Sequence, residues 1–156
     1  MTEVGISIDT RELAKIAESL NIMPAFKSGM YAAGVYLKGV ISEYPPSSVA
    51  NQPKPYPGRW YERGYGTRYV KKSGGMGGRK TSETLGKRWT VKKSNSGMTI
   101  TVGNNASYGK WVQGHTKQAK FHKARGWLTT GDVVEKESDK ALNIIMDFIS
   151  AKIDGQ

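Results

Sequence analysis

Residues 84–102 read TLGKRWTVKKSNSGMTITV. Leu85, Trp89 and Val91 suit one strand. Met98, Ile100 and Val102 alternate strictly with polar partners, the period of a half-buried strand. KSNSG between them is rich in turn formers, so the segment is expected to be a β-hairpin with a five-residue turn at 93–97.

Working outward from the hairpin, the N-terminal side supplies another strand and two helices. Val4, Ile6 and Ile8 alternate with Gly5, Ser7 and Asp9, a third strand signal. Asp9 or Thr10 can cap a following helix, and Asp9 with Glu12 resembles a capping box. Leu13, Ile16, Ala17 and Leu20 give that helix an apolar face ending near Asn21. Pro24 suits the first turn of a second helix, where its missing N–H costs nothing. Phe26, Met30, Ala33, Leu37 and Ile41 form its stripe, widened by Val40 and Tyr44, before Pro45-Pro46 stops it. Gly29, Gly34 and Gly39 lower its intrinsic propensity by about 1 kcal/mol each. Packing must hold this helix, and its small residues allow close approach of a sheet or another helix.

Downstream, Tyr108, Trp111 and Val112 suit a short helix or a further strand. Residues 115–127 form a basic loop, and Leu128-Thr129-Thr130 a short strand. A last helix is expected over 132–153, acidic in its first turns, with Ala141, Ile144, Ile145, Phe148, Ile149 and Ile153 on its apolar face. The fold class is α+β: a small, mainly antiparallel sheet packed against long N- and C-terminal helices. At 156 residues a single domain over 1–156 is expected. Within it, 45–82 is an extended basic loop rich in Gly, Pro and aromatics, with five of the six prolines at 45–57 and seven glycines at 58–78.

The charge is segregated. The net +11 combines −1 over residues 1–46, +15 over 47–128 and −3 over 129–156. In the middle, seventeen Lys/Arg face only Glu62 and Glu83. Such a balance suits a polyanion or an acidic protein face. Two groups of contact residues stand out. Arg59, Trp60, Tyr61, Arg63, Tyr65, Arg68, Lys71, Lys72, Arg79 and Lys80 interleave cations with rings in the long loop. His115, Lys117, Lys120, Lys123 and Arg125 form a second basic loop. Cations contact phosphates and aromatics stack on unpaired bases, but Tyr, Trp and Arg also dominate protein–protein hot spots. Both kinds of partner stay open.

Catalytic chemistry finds little to stand on. The two histidines, His115 and His122, lie in the basic loop and read as exposed loop residues. Cysteine is absent, so there is no thiolate nucleophile or metal site. The middle lacks the several carboxylates of a two-metal nuclease. GxSxG is missing, and GGMGGRK has the wrong spacing for a P-loop. No enzyme activity, cofactor or metal is expected. No apolar run reaches a membrane span and no signal peptide is seen, so no membrane partner is expected and synthesis is placed in the cytoplasm.

SETLGKRWTVKK and GMTITVGNNASYGKWVQGHTKQAKFHKARGW resemble one family. They look like the tail-completion and head–tail joining (neck, minor tail) proteins of long-tailed bacteriophages. Thr84-Leu85-Gly86-Lys87-Arg88-Trp89 stands in place of a G-x-L-x-x-S-W strand. The run Asn105-Ala106-Ser107-Tyr108-Gly109-Lys110-Trp111-Val112-Gln113-Gly114 stands in place of N-x-A-x-Y-A-x-x-V-[QE]-x-G. Gly109 replaces the usual Ala, and Gln113 stands where an acid able to bridge subunits is more frequent. Tyr44-Pro45-Pro46 and Arg59-Trp60-Tyr61-Glu62-Arg63-Gly64 are similar to a prophage subgroup, and the likeness spans roughly 10–153. It implies a non-enzymatic virion protein that completes the tail or joins it to the head connector. Such a protein forms a homo-oligomeric ring, commonly a hexamer. Connector, stopper, tail-tube or terminator proteins would be its partners, DNA would pass non-specifically through the lumen, and the host cytoplasm would be its site of assembly. The alternative from the residues alone is a basic nucleic-acid-binding module using the Arg/Lys/Tyr segment 54–80.

Overall fold

The computed structural model describes residues 4–45, 61–62, 65–66, 69–70, 72–74, 76–77 and 84–155. It is α+β. Strand β1 (Val4–Asp9) leads to helix α1 (Arg11–Ser19) and the long helix α2 (Met23–Ser42). Two short hairpins follow: β2 (Tyr61–Glu62) with β3 (Tyr65–Gly66), and β4 (Tyr69–Val70) with β5 (Met76–Gly77). The described part of the expected long loop therefore contains paired strands. A single helical turn, α3 (Thr84–Lys87), precedes β6 (Trp89–Ser94) and β7 (Thr99–Asn104). Short helices α4 (Gly109–Gln113) and α5 (Lys120–Lys123) lead to the C-terminal helix α6 (Thr130–Asp154).

The main sheet is antiparallel, in the order β1-β7-β6. Its register explains the sequence pattern. Val4, Asn104 and Trp89 share one row; Ile6, Val102 and Val91 the next; Ile8, Ile100 and Lys93 the last. These rows face α2 and α6, and Trp89, Ile100 and Val102 are almost wholly buried. The alternate residues on the other face are small or polar. Burying each large apolar side chain contributes roughly 1.5–3 kcal/mol, so the inward rows and the α2 stripe form the core.

The α2 stripe packs as expected: Phe26, Met30, Ala33, Leu37 and Ile41 are all buried. Its glycines divide by use. A Cβ on Gly29 would lie 3.0 Å from Ile145 Cα in α6, and one on Gly34 would overlap Ile100 Cγ2 of β7. Gly39 faces open space. Two of the three glycines thus bring α2 close to a helix and to the sheet.

Several boundaries differ from expectation for identifiable reasons. The β6–β7 turn has four residues, because Ser94 already pairs with Thr99. Asn95, Ser96 and Gly97 all take positive φ (51°, 55° and 89°), and this left-handed run reverses the chain early. Residues 84–87 are helical rather than extended, since the buried Asn104 amide donates to the Leu85 carbonyl at 2.8 Å and turns the chain there. On α1, Ala14 and Ala17 are buried while Ile16 and Leu20 stay 56% and 55% exposed. The helix lies close on its small residues. No side-chain bond caps it; the Thr10 hydroxyl donates instead to Met30 Sδ at 3.3 Å.

The capping box sits elsewhere. Thr129 Oγ1 accepts from the Asp132 N–H at 3.1 Å, and Asp132 Oδ2 accepts from the Thr129 N–H at 2.8 Å. Residues 128–130 are therefore a helix entry, not a strand, and α6 starts two residues before expected. Phe148 and Ile153, expected on its buried face, are 42% and 51% exposed. Among the described residues no helix is long and apolar enough to cross a membrane.

Candidate functional site

The segment between β7 and α6 contains a buried polar network and an exposed basic surface. The network starts at Asn104, fully buried at the end of β7. Its amide donates to the Leu85 carbonyl, and its Oδ1 accepts from the Ala106 N–H at 2.8 Å. Gln113, 1% exposed, ends α4. It accepts from Trp89 Nε1 at 3.1 Å and donates to the Ile41 carbonyl at 2.7 Å. One amide thus joins β6, α4 and the end of α2. Each polar atom is matched, as burial requires.

The network fixes where α4 and α5 project. Tyr108 and Trp111 are 43% and 49% exposed, and Phe121 is 46% exposed. Lys110 Nζ lies 5.8 Å from the Trp111 ring, and the Arg125 guanidinium 5.9 Å from Phe121, both within cation–π range. Arg125 also donates to the Phe121 carbonyl at 2.9 Å, which steadies α5. Lys117, Lys120 and Lys123 are exposed, with no ion pair recorded for them among the described residues. No Asp or Glu occurs between Glu83 and Asp132. The surface therefore presents rings and cations without a neutralising carboxylate close in sequence.

The histidines are not equivalent. His115 is exposed and lies across Gly131, where a Cβ would overlap its ring. His122 corrects the expectation of an exposed loop residue. It is half-buried, 4.1 Å from Phe121 and 6.2 Å from Trp127 between ring centroids, and Trp127 in turn meets Tyr44 edge-on at 4.9 Å. Burial, with Arg125 nearby, pushes His122 down to about 4. Its Nδ1 is buried without a hydrogen-bond partner, so the ring packs as a neutral aromatic at neutral pH.

Of the second basic loop, Lys120, Lys123 and the half-buried Arg125 gather at α5, whereas His115 lies against Gly131 of α6. Of the first group, Arg59, Trp60, Arg63, Arg68, Lys71, Arg79 and Lys80 lie outside the described residues. Tyr61 and Tyr65 belong to paired strands, and Lys72 is exposed in a turn. Sequence reading missed Asn104, Tyr108, Trp111 and Phe121 as site residues. The absence of acids around the rings was the available signal. Gln113 is closed off from any neighbouring molecule, so this position serves the core and not an inter-subunit bridge. Among the described residues no group of three or more His, Asp or Glu is placed to hold a metal ion. No protein-family model, curated protein or solved structure matches the chain.

Proposed function

We propose that this chain is a non-enzymatic structural protein of a tailed bacteriophage, acting as one subunit of an oligomeric ring that completes the tail or joins it to the head connector. The residues 84–114 that carry the family resemblance support this reading. The observation that carries it is the spread of exposed apolar side chains. Ile16 on α1 and Leu20 just after it, Tyr31 and Val35 on α2, Trp111 on α4, and Leu142 and Met146 on α6 are each 40% exposed or more. Scattered single exposures are ordinary, but apolar groups open on several sides suit a subunit that other proteins cover. The α4–α5 surface would meet the neck or tail partner, its Trp111 and Phe121 as anchors and its lysines at the rim.

The test is a binding assay of the purified chain against tail-tube and connector proteins of tailed bacteriophages, with electron microscopy of the mixtures. Ring-shaped particles or stable complexes are expected. A chain that stays monomeric, binds none of them and forms no ring would sink the proposal. A second reading, a nucleic-acid-binding module, draws on the Arg/Lys/Tyr segment 54–80. It predicts a log–log salt slope of about −0.9 per phosphate contacted on duplex DNA, flattened by replacing Arg59, Arg63 and Arg68 with Ala. An unchanged slope counts against it.

A further inference from the structure

The main sheet ends in two edges of different character. Among the described residues the outer edge of β1 is unpaired; the strand reads VGISID over 4–9, and its one charge, Asp9, stands at its end. Proteins usually guard such an edge with charges, prolines or cover. Here an apolar groove of about 260 Å³ runs between β1 and α6, lined by Ile6, Ile8, Leu37, Val134, Leu142 and Ile145. On α6, Val134, Leu142 and Met146 are about 45% exposed, and the acids exposed on that flank are Glu135 and Asp139. Among the described residues this flank of α6 and the adjoining edge of β1 are uncovered.

The opposite edge carries the complement. On β6, Lys92 and Lys93 are exposed, and Lys93 Nζ lies 4.0 Å from the Tyr31 ring centroid on α2. Lys27, Tyr31, Val35 and Lys38 recur every three to four residues, so they share one flank of α2. Tyr31 and Val35 are 40% and 45% exposed. One side of the molecule is therefore apolar with acids, and the other apolar with lysines.

We propose that copies of this chain join head to tail, β6 of one copy adding to the β1 edge of the next. The α2 flank of the first copy then covers the α6 flank of the second. The strand directions fit. β1 and β6 are both antiparallel to β7, so β6 meets the neighbouring β1 in parallel and the sheet continues. The occupant is a second copy because one chain carries both complementary sides, and such a heterologous contact closes into a ring when its rotation allows. This names the self-contact required by the assembly proposed above and rests on that proposal.

The chain has no cysteine, which makes disulfide mapping clean. Ser7 and Lys92 are exposed on the outer face of β1 and β6, and adjacent strands lie about 4.8 Å apart, within disulfide reach at paired positions. Ser7→Cys and Lys92→Cys are made as separate full-length variants and oxidised alone and mixed. The expected result is a dimer only in the mixture, and a ladder of multimers from the double variant. Ser7→Cys cross-linking to itself would show a two-fold β1–β1 pair and overturn the proposal. Absence of cross-links in every mixture would also overturn it. Light scattering of the unmodified chain separates the two claims: oligomers without the mixed cross-link refute the edge contact while leaving the assembly role standing.

Discussion

Residues 104–113 and 115–125 adjoin in sequence, yet they use polar groups in opposite ways. In the first, Asn104 and Gln113 are buried with their amides matched to Leu85, Ala106, Trp89 and Ile41. In the second, Lys117, Lys120 and Lys123 stand in solvent beside exposed rings. A matched buried amide contributes to holding one fold, and removing a partner strands the other. An exposed lysine contributes almost nothing to stability and remains available to a partner. The resemblance motif lies mainly in the first region, where its buried amides serve packing while Tyr108 and Trp111 stay exposed. Contact falls to Trp111 and to the lysines and rings that follow.

That contrast can be broken by substitution. The largest effect is expected for Trp89→Ala, which removes the fully buried ring and the donor to Gln113 and should cost about 3–5 kcal/mol in denaturant unfolding. Gln113→Ala strands the Trp89 N–H and the Ile41 carbonyl, and a loss of about 1–3 kcal/mol is expected by the same measurement. A loss below that range would show that the amide is dispensable. On α2, Gly34→Ala should destabilise by about 1–3 kcal/mol because its Cβ has no room. Gly39→Ala, facing open space, should instead stabilise by about 0.4–1 kcal/mol. Equal signs for the two would refute the packing described for α2.

The pH dependence sharpens the comparison further. His122 is held down to about 4 by burial, so an unfolded chain takes up its proton first, near the ordinary histidine value of about 6.5. The stability from the neutral ring is present above that pH and falls away as pH drops toward 4. Asp132 is also held below the usual carboxylate range, chiefly by the Thr129 N–H and then its hydroxyl. The stability it gives is present above its unfolded value and is lost at still lower pH. Thermal unfolding should therefore be flat above pH 7 and decline in two stages. His122→Phe should remove the upper stage alone; a decline unchanged by that variant would contradict the burial assigned to His122. The smallest stability effect, within about 0.5 kcal/mol, is expected for Lys120→Ala with Lys123→Ala.

Much of this was legible in the chain. The alternation in 4–8 and 98–102 has period two, and the α2 stripe has the helical period, so strands, helix and fold class followed from pattern alone. Turn geometry was harder. The left-handed run at Asn95, Ser96 and Gly97 goes with the early pairing of Ser94 and Thr99, and the helical turn before Trp89 depends on one buried amide of two adjacent asparagines, Asn104 and Asn105. Nothing local tells which is buried; the register of β7 does. The exposure of Phe148 and Ile153 was equally hidden, because periodicity marks an apolar face without saying how much of it the rest of the chain covers. The basic surface was visible as charge, while its rings gained meaning only when α4 and α5 placed Trp111 and Phe121 beside the lysines.

The most direct test of the account joins both halves of the comparison. Binding to the proposed partners, tail-tube and connector proteins, is measured for a Trp111→Ala, Lys120→Ala, Lys123→Ala variant beside the unmodified chain. The account predicts an unchanged melting temperature and binding weakened at least tenfold, the equivalent of about 1.4 kcal/mol. Binding at full strength by that folded variant would contradict the role given to the α4–α5 surface.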